Sequence, residues 1–127
     1  MAENKEYISR TEEMGSIHIS EEVLAVIAAA ATLEVEGVGS LAAGKDITEL
    51  LGKKNMAKGV RISVEEEAVT VDISLLVKYG NTIMEVAHKV QETVTAAVEA
   101  TSGLMVESVN VNVCGVTFEK EGKPVQQ

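Results

Sequence analysis

Residues 60–78, VRISVEEEAVTVDISLLVK, decide the fold. Val60, Ile62 and Val64 alternate with Arg61, Ser63 and Glu65, and Val69, Val71, Ile73, Leu75 and Val77 alternate with Thr70, Asp72, Ser74 and Lys78. Successive side chains of a strand point to opposite faces, so a period of two marks strands with one face in a core and one toward water. Residues 65–68, EEEA, join the two runs as a hairpin loop.

Outward from this hairpin the period changes. After Gly80 and Asn81, Thr82 and Glu85 fit a capping box, in which hydroxyl and carboxylate each satisfy a free backbone N–H. Ile83, Val86, Ala87, Val90, Val94 and Ala97 then recur at helical spacing until Gly103 stops the helix. A last strand runs from about Val106 to Phe118. Val109, Val111 and Val113 share one parity and Val116 and Phe118 the other, so a β-bulge near Cys114–Gly115 is expected to return the last two to the core side.

Toward the N-terminus, residues 16–19 alternate as a short strand, and Ser20 offers an N-cap to a helix reaching about Val35, with Gly37 as its stop. Val23–Ala31 is apolar on every side, which predicts burial on more than one face, against the sheet or a second subunit. Residues 46–51 read as a short helix, and Lys53, Lys54 and Lys58 as a small basic patch. Residues 1–14 read as a flexible polar tail, 15–119 as one domain and 120–127 as a second polar tail. The order is β-α-β-β-α-β. The expected class is α+β, a two-layer sandwich with two helices on one face of a mainly antiparallel sheet.

Composition excludes several functions. With 127 residues the chain holds one core. A net charge of −9 opposes neutralising nucleic-acid phosphates or docking on an anionic membrane. Three aromatics, Tyr7, Tyr79 and Phe118, offer little for stacking bases. Cys114, the single cysteine, cannot form an internal disulfide and suits a reducing cytoplasm. The N-terminus has no apolar signal-peptide core, and nine residues, Val23–Ala31, are too few to span a bilayer. Any membrane link is expected to run through a partner.

Gly39, Gly44 and Lys45 have the spacing of a phosphate-binding loop, G-x-x-x-x-G-K-[ST], but Asp46 replaces the hydroxyl that would hold Mg²⁺. That loop needs a strand feeding it. Here a helix precedes it, and Glu34 and Glu36 would repel phosphate, so the glycines read as a helix stop and a flexible turn. A strand entering Gly39 would overturn that reading. His18 and His88 lie on different elements without metal-ligand spacing. Cys114 has no local base to activate it, and Glu65–Glu67 reads as a solvated turn. No catalytic, cofactor or metal residues are assigned. The surface that stands out is the open sheet face carrying Arg61, Ser63, Thr70, Asp72, Ser74, Leu76, Asn110 and Asn112. Its small polar groups make a flat surface of low side-chain entropy, suited to self-association or a partner, with a plain solvated sheet face as the other reading.

Three strings in order, GSIHISEEVLAVIAAAATLEVEGVGSL (15–41), KGVRISVEEEAVTVDISLLVKYG (58–80) and VESVNVNVCGVTF (106–118), resemble the alkaline-shock protein family, also called the cell-envelope stress response family, of Gram-positive bacteria. The matching positions, among them Ile17, Ser20, Glu34–Val38, Tyr79, Gly80, Asn110 and Gly115, read as core and turn positions and bring no catalytic residue. The resemblance implies a cytoplasmic protein that is not an enzyme and that self-associates as a homo-oligomer. It also implies a possible membrane-anchored protein partner beneath the cell membrane. A regulator of fatty-acid metabolism, acting by binding a biosynthetic enzyme, is the alternative it leaves open.

Overall fold

A computed structural model describes residues 7–42 and 59–118. The readings for residues 1–6, 44–46, 46–51, the three lysines at 53, 54 and 58, and 119–127 lie outside the described residues. Within them the order is β1 (Tyr7–Glu12), β2 (Gly15–Ser20), α1 (Glu21–Leu33), β3 (Val38–Leu41), β4 (Val60–Glu65), β5 (Ala68–Lys78), α2 (Ile83–Ser102) and β6 (Met105–Thr117).

Strand β5 is bonded along both edges. β6 runs parallel to it from Ala68 to Lys78. The opposite edge is shared end to end by two antiparallel strands, β4 over Ala68–Ile73 and β3 over Leu75–Val77. Ser74 spans the junction: its N–H donates to the Gly59 carbonyl and its carbonyl accepts from Ala42 N–H, each at 2.8 Å. The chain thus leaves the sheet and re-enters it beside one residue. Gly59 fits there because its φ is +91° and a Cβ would stand 3.0 Å from the carbonyl oxygens of both Ala42 and Ser74. By number the pairings are mainly antiparallel, as expected, and the longest is the parallel one.

The alternation read from the sequence is the burial pattern of β5. Val69, Val71, Ile73, Leu75 and Val77 are buried, with Thr70, Asp72, Ser74 and Leu76 half-buried between them. Both helices cover the odd-numbered face. α2 sends down Val86, Val90, Val94 and Val98, one per turn, and α1 adds Leu24, Ala28 and Ala31. Thr32, the buried polar residue of α1, donates its hydroxyl to the Ala28 carbonyl at 2.8 Å. Ser20 caps α1, its Oγ accepting from Val23 N–H at 3.2 Å.

Several expectations need correction. Part of the supposed tail, Tyr7–Glu12, is a strand paired antiparallel with β2. Ile8 sits opposite Ile19 and is buried. One apolar residue in a charged string hides the period, but the neighbouring strand supplies the hydrogen bonds. This hairpin covers the C-terminal end of α2, where Ile8, Ile17, Ile19, Ser102 and Leu104 line a cavity of about 70 Å³.

Val38–Leu41 is a strand where a turn was expected, so the chain does form a strand through Gly39. The register slips between Val38 and Ser40, and a Cβ on Gly39 would come 2.5 Å from Thr117 Oγ1. Four residues broken by a bulge show no period.

Helix α1 ends at Leu33, two residues early, and buries one side only: Val23, Val26 and Leu33 stay about half exposed, at 49%, 47% and 53%. At α2 the Thr82 hydroxyl makes no capping bond, so the capping box is absent; the Thr82 backbone carbonyl takes the N–H groups of Glu85 and Val86. The bulge at Cys114 is present, between the pairs Leu75–Val113 and Leu76–Gly115. It places Val116 opposite buried Val77, but Val116 is itself 43% exposed and not in the core, where it was expected. Phe118 also remains 65% exposed beyond the helices, stacked on Tyr79 with ring centroids 4.9 Å apart.

The β4–β5 loop is a two-residue turn. Glu65 pairs with Ala68, and Glu66 and Glu67 have φ of 53° and 70°. Two positive-φ central residues define a type I′ turn, which Asn-Gly fills without strain. Replacing Glu66→Asn together with Glu67→Gly should raise unfolding stability by about 1 kcal/mol, measured by urea titration. Leu75→Ala should cost about 2–5 kcal/mol in the same experiment, because it empties part of the core beneath both helices.

Candidate interaction surface

Alternation in β5 defines the second face as sharply as the first. Pairing carries it sideways in rows. Ser63, Thr70 and Ser108 make one row, and Arg61, Asp72 and Asn110 the next. Ser74 lies beside Asn112, and Leu76 lies between Ser40 and Gly115. All eight residues assigned to this face from the sequence therefore share it. Leu76 lies across the glycine of the neighbouring strand, whose absent Cβ would be 3.2 Å from Leu76 Cδ2.

The row of Arg61, Asp72 and Asn110 carries the chemistry. Asn110 Nδ2 donates to Asp72 Oδ1 at 2.8 Å, fixing the carboxylate from the β6 side. Arg61 stands directly opposite Asp72 in the antiparallel pair, where side chains of opposite charge attract. Arg61 and Asn110 are exposed and Asp72 half-buried.

Glu65 and Lys78, on the same parity in the sequence, also lie on this face, and sequence reasoning missed Ser40 and Ser108 there. Ser40 belongs to the unforeseen β3. Ser108 is set in register by a second bulge, at Glu107, and the three-residue gap from Val106 to Val109 is the signal that reveals it.

Other candidates lead elsewhere. Ser40 and Leu41, inside the phosphate-loop pattern, are paired with Leu76 and Leu75 in the sheet, so they are not free to wrap a phosphate. Glu34 and Glu36 line an open cleft of about 550 Å³ with Asn81, Thr82, Glu85 and Lys89. Three carboxylates against one ammonium make this cleft hostile to anions. His18 Nδ1 lies 2.7 Å from Ser9 Oγ in the β1–β2 hairpin. His88 is exposed on α2, while the Cys114 thiol is exposed in the β6 bulge, 3.8 Å from the Asn112 carbonyl oxygen. Among the described residues no group of three or more His, Cys, Asp or Glu could hold a metal ion, and no helix is long and apolar enough to cross a membrane.

The fold and this face define a two-layer α+β domain with one sheet face uncovered by helices. The chain belongs to the alkaline-shock (ASP23) family, described as having a cell envelope-related function, whose family model matches residues 9–118. It is 42% identical over 106 residues to the uncharacterized protein YloU of Bacillus subtilis (strain 168), covering 80% of this chain and 88% of YloU. It is 39% identical over 115 residues to the uncharacterized protein Spy1535 of Streptococcus pyogenes serotype M6, covering 90% and 88%. The solved structure MamM-CTD 215-293 is similar at a TM-score of 0.48 and 21% identity, over 75% of this chain and 98% of that one.

ATP with Mg²⁺ should leave the melting temperature unchanged in a thermal-shift titration. Binding at one hundred times Kd would stabilise the fold by about 2.7 kcal/mol, which such a titration detects readily.

Proposed function

We propose that this chain is a non-enzymatic interaction module of the cell-envelope stress response. In this reading it self-associates and is held at the cytoplasmic side of the membrane by an anchored protein partner, and the open sheet face is the surface it works through. One observation carries the reading. In a member of a cell envelope-related family, helices cover one face of β5, and the other presents serine, threonine and asparagine.

Short polar side chains lose little rotamer freedom when covered, and they leave few charges to desolvate. A flat face of this kind favours contact with another flat protein surface over enclosure of a small substrate, which binds in a concave, largely apolar pocket. Membrane attachment is routed through a partner because no helix among the described residues can cross a bilayer.

Sedimentation velocity from low to high micromolar concentration should show reversible self-association; a strict monomer throughout would sink the self-association. Cross-linking in intact cells should recover an integral membrane protein. Recovery of a lipid-biosynthetic enzyme in its place would replace the anchored-scaffold reading with a metabolic one.

A further inference from the structure

The open face differs from the rest of the molecule in charge. The chain carries −9 overall, so two copies repel through most approaches. Among the described residues the paired strands place four charged side chains on the open face, Arg61 and Lys78, Glu65 and Asp72, and Glu107 is exposed in the β6 bulge beside Ser108. They sum to −1, two cations against three carboxylates. The face is thus a nearly neutral window on an acidic protein. Its central row sets a cation beside an anion, with Asn110 holding the anion in place.

We propose that the open face packs against the same face of a second copy about a two-fold axis running along the strands, so that Arg61 of each copy reaches Asp72 of the other. This rests on the reading of that face as an interaction surface and names its occupant. In a two-fold contact the same patch serves both partners, and a row containing both signs is complementary to itself when rotated about such an axis. A strand-parallel axis carries β4 of one copy to the β5 side of its partner, which brings guanidinium toward carboxylate twice.

For β4 of each copy to lie over β5 of the other the axis runs between these two strands, so two strand positions overlap; at about 4.8 Å spacing and eleven residues at about 3.3 Å they give roughly 350 Å² per copy. The pair then buries about 700 Å², below the usual size of a specific interface. The contact is therefore a weak, concentration-dependent dimer. The serines and threonines flanking the row let two sheets approach without long side chains holding them apart.

Charge exchange between two full-length variants tests this. Arg61→Asp and Asp72→Arg should each raise the dimer dissociation constant by about tenfold, since like charges then meet twice across the axis. An equimolar mixture should recover affinity to within about threefold of wild type, because each variant supplies the charge the other lacks. That recovery separates contact between copies from any loss of the Arg61–Asp72 pairing within one chain, which mixing leaves unrepaired. Ser74→Arg, which leaves the row untouched, should also weaken association. Val26→Glu, on the exposed side of α1, should not.

Circular dichroism and melting curves establish that each variant is folded. A wild-type dimer that folded Arg61→Asp leaves intact, or a mixture that stays monomeric, overturns this packing alone. Loss of the dimer in Val26→Glu but not in Ser74→Arg moves the interface to α1 and overturns it too. A monomeric wild type overturns both this packing and the self-association beneath it.

Discussion

Strand β5 is the constraint on which the other elements depend. Its five odd-numbered residues are fully buried, and its backbone is bonded on both edges by three strands. A strand has a side-chain period of two, so a slip of one residue would turn Val69, Val71, Ile73, Leu75 and Val77 to water and bring Asp72 into the core. Burying an unpaired carboxylate is costly enough to forbid that register. The helices follow from this choice. The valines of α2 recur every four residues, and α1 uses alanine where it approaches the sheet, so both fit over the row that β5 presents.

The same constraint explains β6. It has 13 residues against the 11 of β5 and runs beside it for the full length. Two bulges, at Glu107 and Cys114, absorb the difference. Each flips the parity once, so the core-side positions of β6 are Val106, Val109, Val111, Val113 and Val116, spaced three, two, two and three. The bulges keep the first four against the core, while Val116 reaches past it and is 43% exposed, and they leave Asn110 and Asn112 on the open face in its regular middle.

What the sequence made legible follows the strength of each local signal. The long alternating runs and the four-residue valine repeat identified β4, β5 and α2, and with the regular middle of β6 they gave the eight residues first assigned to the open face. The bulge at Cys114 was visible because Val116 and Phe118 lie on its far side. β1 was hidden because Ile8 is a single apolar residue among polar ones, and β3 because a bulge at Gly39 interrupts four residues. Both owe their existence to a partner strand, which a local pattern cannot display. The exposed flank of α1 differs from the all-round burial expected within one chain for a related reason. Apolar residues on every side of a helix state how much could be buried, and the single-chain fold covers only Leu24, Ala28, Ala31 and Thr32.

Charge placement separates the two sides of the molecule. On the helix side, uncovered Val23, Val26 and Leu33 are accompanied along the chain by Glu22, Glu34 and Glu36. Glu85, Glu92 and Glu99 are exposed on α2. Two copies meeting there would bring like charges together around an apolar stripe, and in water of physiological ionic strength repulsion extends over about 8 Å. The sheet side carries no such excess. A copy of the same chain is therefore best accommodated on the sheet, while any occupant of the helix side must bring positive charge of its own. The fold can in this way hold one contact for itself and another for a different molecule without the two competing for a single surface.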